Sequence, residues 1–293
     1  MDDRVSVFII GAPKCATSAV ATALAAHPEI NFATDKEPRF FSHDKHRRGV
    51  EWYHGSFPRR PGVKIDGSTT YAEAWMDRSA TSARRIHEYN PDARIVYCVR
   101  SPLARAVSEW REYGHQLRQG NSSIARIPGM DAYGDLNADL RRMPGFLGTS
   151  NYWQRLTPYR ERFPDERIHV VFQEDWRRAP REVLAGLLEF IGVDDAWPCP
   201  SADAEVNDRW LKAKPRLLLN LMLRMPGYRR ISTMVPDAAR PMLRRVLKRR
   251  PVDATAVSPD VVAYAWESLH EDIDRFLRWA GRDVGLWGRG AYR

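Results

Sequence analysis

The sequence predicts an α/β fold: a three-layer domain with a central, mostly parallel sheet flanked by helices. Two observations carry this reading. Short runs rich in β-branched and aromatic residues alternate with longer segments of helical apolar spacing. The chain also has 293 residues, 43% of them hydrophobic and 28% charged, enough to bury a full core.

The elements follow in order. Val5 to Ile10 is a buried parallel strand, ended by Gly11. Val20, Ala23, Leu24 and Ala26 then fall at helical spacing until His27-Pro28 stops them. Glu29 to Ala33 is a short strand. Thr34 to Asp44 reads as a charged loop pinned by Phe40 and Phe41. Val50 to Phe57, with Trp52, Tyr53 and Phe57, is helical or a packed loop. Val63 to Ser68 is another strand, and a helix over 76–88 stops at Asn90-Pro91. Arg94 to Arg100 is the strongest strand after the first. It runs into Ser101-Pro102, an N-cap followed by proline at the first helical position. The helix beyond carries Leu103, Ala106, Val107, Trp110 and Tyr113 on one face.

Between residues 120 and 150 periodicity fades and glycine, proline and serine recur, so this reads as an irregular loop of the lid or binding kind. Helix returns from Tyr152 to Phe163. A strand follows from Arg167 to Phe172, then a helix from Pro180 to Ile191 closed by Gly192. Residues 199–258 form a basic insert in which 240–250 is a basic amphipathic helix. That face suits nucleic acid, a membrane surface or an anionic polymer, though taken alone a solvated helix face is the better reading. The last helix starts at Ser258-Pro259 and lines up Val262, Trp266, Leu269, Ile273, Phe276 and Ala280 before Gly281. The expected organisation is one domain over 1–293, with 120–150 and 199–258 as acceptor-site or lid elements.

The net charge of +9 favours anionic ligands without naming one. Cys15, Cys98 and Cys199 show no paired spacing, which fits a reducing compartment. Met1-Asp2-Asp3-Arg4 lacks the basic and apolar regions of a signal peptide, and no run approaches the ~18 apolar residues of a membrane span. The expectation is a soluble, cytoplasmic protein.

Two places carry chemistry. The first is the strand–turn–helix over Gly11-Ala12-Pro13-Lys14-Cys15-Ala16-Thr17-Ser18. Free amides of a first helical turn and the helix dipole attract an anion, Lys14 can reach a phosphate, and the hydroxyls of Thr17 and Ser18 can donate to it. It is not a Walker A loop, because Lys14 comes early and no Gly-Lys pair exists. An ordinary βα turn would look the same. The second is Arg100, at the carboxyl end of its strand, with Ser108 in the second turn of the following helix. Ligands of open parallel sheets bind at such ends, and a guanidinium grips phosphate with a planar fork. Together the two sites suit a nucleotide phosphorylated at both ends.

At this point the chain resembles the sulfotransferases that use 3′-phosphoadenosine 5′-phosphosulfate (PAPS), in the branch of the heparan sulfate enzymes and their bacterial relatives. Gly11 to Ser18 matches that family's 5′-phosphosulfate loop, and Arg100 to Ser108 its 3′-phosphate motif. Lys36-Glu37-Pro38-Arg39-Phe40-Phe41 matches the Lys-Glu-x-x-Phe-Phe segment that supplies the catalytic glutamate. The resemblance implies a P-loop-like fold, PAPS as donor and 3′,5′-bisphosphoadenosine (PAP) as product; no metal is expected, because a sulfuryl group carries less charge than a phosphoryl group and no carboxylate cluster suggests a magnesium site. It also implies sulfuryl transfer to a hydroxyl or amine of a carbohydrate, lipid or other small acceptor. Glu37 and Lys14 become the catalytic residues, and Arg39, His43 and Ser68 acceptor contacts.

There are departures. Ala16 stands where the phosphosulfate loop usually has glycine. Asp66-Gly67-Ser68 replaces the usual Glu-Lys-Ser/Thr, so a lysine is missing at Gly67. No late lysine–glycine nucleotide loop is evident, and Lys212, Lys214 and Arg216 are its candidate replacements. Glu37 and His43 compete for the role of base: histidine has the better ordinary pKa, glutamate the right slot. A P-loop kinase would need a true Walker A and a magnesium carboxylate. A non-catalytic nucleic-acid binder ranks last, because the basic run 240–250 lacks aromatics.

Overall fold

The computed structural model describes residues 4–75, 77–198 and 256–288. Its sheet has five strands: β1 (Val7–Gly11), β2 (Ile30–Phe32), β3 (Val63–Asp66), β4 (Arg94–Val99) and β5 (Ile168–Phe172). They lie in the order β2-β3-β1-β4-β5, and every pairing is parallel. β1 is central and buried along its whole length, as its unbroken apolar run requires.

After β1, helix α1 (Thr17–Ala25) carries the chain to the edge strand β2, and β3 returns beside β1. Between β2 and β3 lies α2 (Val50–His54). Helix α3 (Arg78–Tyr89) then takes the chain across β1 to β4, and α4 (Pro102–Arg118) leaves β4 on the far side. Connections after β1 and after β4 thus depart in opposite directions. The crevice between their carboxyl ends is the switch point where parallel sheets bind ligands.

Residues 120–150 correct the expected irregular loop. They hold α5 (Ser122–Ala125), α6 (Leu136–Arg142) and α7 (Pro144–Gly148). Met130, Leu136, Leu140, Met143, Phe146 and Leu147 are buried there. Each helix is only one or two turns, too short for a 3.6-residue period to register, so the buried residues looked scattered. The remaining helices are α8 (Tyr152–Arg160), α9 (Gln173–Arg178), α10 (Pro180–Ile191) and α11 (Pro259–Trp279). Gly192 closes α10 in the left-handed region, at φ 81. The polar α9 had no apolar pattern to reveal it.

In α11 the buried stripe is Val261, Ala265, Leu269, Ile273 and Phe276. Val262 and Trp266 lie half-buried beside it, with Trp266 stacked on His270. Asp272 of α11 accepts the amides of Trp153 and Gln154 at 2.9 and 2.8 Å, capping the first turn of α8. No helix among the described residues is long and apolar enough to cross a membrane. The basic run 240–250 and Lys212, Lys214 and Arg216 lie outside the described residues.

Candidate active site

Gly11 ends β1 with φ 150, and a Cβ there would come within 3.2 Å of both Ala72 Cβ and the Thr69 carbonyl. A side chain would push the turn off the sheet. Lys14 and Ala16 both take left-handed backbone, with φ 71 and 61. Alanine therefore adopts the conformation that glycine usually supplies. The amides of Ala19 and Val20 turn inward to the Ala16 carbonyl, which starts α1.

The two predicted anion residues meet. Arg100 Nη1 donates to the Lys14 carbonyl at 3.2 Å. Tyr152, which sequence reasoning missed, clamps Arg100: its hydroxyl donates to the Arg100 carbonyl at 2.7 Å and accepts the Arg100 amide at 3.4 Å. Cys15 lies 3.9 Å from the same hydroxyl. Burial pushes its thiol up to about 12, so Cys15 is an inert wall. Lys14 Nζ donates to Glu112 Oε2 at 3.0 Å, on α4 one turn beyond the half-buried Ser108.

Ser101 occupies the N-cap position, but its hydroxyl is buried without a partner. Glu174 instead accepts the Ser101 amide at 2.8 Å. Deeper in α4, Arg105 is fully buried. It donates to Glu109 at 2.7 Å, to Ser150 Oγ at 2.6 Å and to the Phe146 carbonyl. That network ties α4 to the segment that delivers Tyr152.

The Glu37 loop lies against β3. A Cβ on Gly67 would come within 2.9 Å of the Phe32 ring and 3.3 Å of the Lys36 carbonyl, so glycine is what lets this loop approach. Glu37 Oε1 accepts from Lys36 Nζ at 3.1 Å and from Thr69 Oγ1 at 3.2 Å. Its Oε2 accepts from Arg39 Nε and Nη2 at 3.2 and 2.8 Å. Burial works to raise this carboxyl, but Lys36 and Arg39 outweigh it and hold Glu37 below its ordinary value. Lys36 Nζ also lies 3.5 Å from Thr17 Oγ1, so one ammonium links the two loops.

Two predicted acceptor contacts are engaged within the protein itself. Ser68 is fully buried. Its hydroxyl donates to Asp66 Oδ1 at 2.6 Å and accepts the Arg39 amide at 2.8 Å, so it anchors the Glu37 loop. His43 has both ring nitrogens engaged, by Arg78 Nη1 at 3.1 Å and Ser42 Oγ at 2.9 Å. Arginine only donates, so Nε2 accepts and Nδ1 carries the proton. Burial and then Arg78 push His43 down to about 4, which leaves it a neutral strut. Arg39 remains exposed at the mouth, with 47% of its side chain accessible. Beside it, burial pushes Glu73 up to about 7 despite its 2.6 Å pair with Arg78. Among the described residues no cluster of His, Cys, Asp and Glu is arranged to hold a metal ion.

The structure thus sets Lys14 and Arg100 at the switch point of a parallel sheet, with the Glu37 carboxylate loop beside them. The chain belongs to the sulfotransferase domain family, whose sequence profile matches residues 4–208. It is 25% identical over 199 residues to bifunctional heparan sulfate N-deacetylase/N-sulfotransferase 1 of Caenorhabditis briggsae, covering 64% of this chain and 23% of that protein. It is 30% identical over 129 residues to human heparan sulfate glucosamine 3-O-sulfotransferase 6, covering 43% of this chain and 32% of that protein. The matched part is thus less than a third of either relative. The crystal structure of a sulfotransferase from Alicyclobacillus acidocaldarius aligns over 97% of this chain and 98% of that one, with a TM-score of 0.64 at 19% identity. That likeness is one of fold.

Proposed function

We propose that the protein moves a sulfuryl group from PAPS to a hydroxyl or amine, with Glu37 as the base. The observation that carries this is the Glu37 carboxylate held opposite the donor loop, with Lys36 hydrogen-bonded to both Glu37 and Thr17. The residues fit a donor anionic at both ends. Lys14 and the first-turn amides suit its 5′ side, and Arg100 with Ser108 its 3′ phosphate.

In the step, the acceptor oxygen or nitrogen forms a bond to sulfur as the bond from sulfur to the phosphate oxygen breaks. The electron pair stays on that oxygen, which leaves as PAP, and the acceptor proton goes to Glu37. Lys14 stabilises the charge that develops on the leaving phosphate. The names of the relatives support a glycan acceptor, offered here with lipid and other small acceptors in the same class. A cytoplasmic setting is part of the reading, supported by Cys15 and Cys98 as buried free thiols.

Labelled PAPS with a panel of glycan, lipid and small-alcohol acceptors tests the reaction. Glu37→Gln keeps the size and cannot take a proton. It should bind PAP normally and lose turnover by ~10²-fold or more. His43→Ala should retain most of kcat. Normal turnover in the glutamine variant would refute Glu37 as the base.

A further inference from the structure

A group that leaves the loop at Thr17 for an acceptor beside Glu37 must cross the gap between them. Lys36 spans that gap. Its Nζ lies 3.5 Å from Thr17 Oγ1 and 3.1 Å from Glu37 Oε1. The side chain is 30% accessible. Lys14, by contrast, is directed to Glu112 on α4 at 3.0 Å.

Packing fixes where Lys36 stands. The bare Gly67 admits the Lys36 carbonyl, and Ser68 holds the Arg39 amide three residues on. The backbone of Lys36 is therefore set by β3 while its side chain reaches toward α1. A lysine at position 67 would meet the Phe32 ring and the Lys36 carbonyl from its first carbon outward. β3 cannot offer a cation there, and the opposing loop does.

We propose that Lys36 is a second catalytic residue of the transfer, an inference that rests on the PAPS reading above. Its ammonium hydrogen-bonds the oxygen that bridges sulfur and the 5′-phosphate. As the sulfur–oxygen bond breaks, the electron pair remains on that oxygen and the charge there grows. Lys36 stabilises this growing charge and keeps its own proton; the acceptor proton goes to Glu37. A donor aimed at charge that develops only during reaction raises kcat more than it raises binding.

The lysine has a second effect through its neighbour. It is the largest positive influence on Glu37, so its removal frees that carboxyl to rise. The test compares Lys36→Met and Lys36→Arg with the wild type. It measures kcat and kcat/KM across pH with PAPS, and PAP affinity by calorimetry. Lys36→Met should lower kcat by roughly 10²–10³-fold, the usual effect of losing one such donor. PAP affinity should change by less than ~10-fold, which also shows that the variant folds. The acid limb of its kcat/KM profile should move to higher pH, and Lys36→Arg should recover at least about ten-fold of the lost rate.

A methionine variant with wild-type kcat would overturn the proposal. So would a loss of kcat matched by an equal loss of PAP affinity, which would make Lys36 a donor-binding residue only. A wild-type protein that transfers nothing from PAPS would instead refute the functional reading beneath it.

Discussion

Asp66→Asn probes the carboxylate that underlies the base loop. Asp66 is fully buried at the end of β3. It accepts hydrogen bonds from Ser68 at 2.6 Å, Tyr71 at 2.7 Å and Tyr53 at 2.8 Å. Burial is the larger influence and outweighs these donors, so the carboxyl rises from an ordinary 3.8 to about 6. An acid raised on folding binds its proton more tightly in the native state. Its contribution is fully present below the unfolded value and is lost as pH climbs through the folded one. Across the whole window the difference is ~3 kcal/mol, of which roughly 1 kcal/mol falls between pH 5 and pH 7. Asparagine does not titrate. Urea denaturation of both proteins, followed by tryptophan fluorescence at several pH values, should show the wild type losing ground to Asp66→Asn by that amount as pH rises. A constant difference, within about 0.3 kcal/mol, would refute the claim that burial dominates at Asp66.

Two further predictions concern the ligand. PAP should raise the melting temperature more than AMP does, and Arg100→Ala should remove that preference, a change of roughly 10- to 150-fold for a charge-assisted bond; equal shifts in the wild type would count against Arg100 as the 3′-phosphate residue. Transfer from PAPS should survive EDTA, because a sulfuryl group carries less negative charge than a phosphoryl group; strict dependence on magnesium with ATP as donor would favour a kinase.

The sheet was legible because its central strands β1 and β4 are buried almost throughout. β1, β4 and β5 are nearly unbroken apolar runs, and each ends at the residues that turn the chain. Glu37, Lys14 and Arg100 were legible as types of residue in characteristic loops. What each touches was not. Ser68 and His43 looked like free polar groups in the right place, yet Asp66 and Arg39 take the one, and Arg78 and Ser42 the other. Arg39 and Arg78 stand 29 and 35 residues from their partners, beyond the reach of any local pattern. Tyr152 was hidden for the same reason: it clamps Arg100 from 52 positions later. The residues 120–150 misled in another way, since helices of one or two turns bury side chains without a repeating face.

A carboxylate held low by two cations looks ill-suited to take a proton, but its two oxygens are held differently. Oε1 accepts from Lys36 and Thr69, and Thr69 is itself buried beside β3. Oε2 accepts only from Arg39 among the described bonds of this carboxylate, and Arg39 is the exposed partner. In the proposed reaction an acceptor that enters at the mouth meets Arg39 first. Once the guanidinium turns to the acceptor or to water, Oε2 is bare while Oε1 stays oriented. Losing one of two lowering cations, while the site is further desolvated by the acceptor, raises the Glu37 carboxyl at the moment a base is needed. The same displacement leaves Lys36 in place beside Thr17. In the proposed reaction the donor side would thus keep its charge as the acceptor side gains its base.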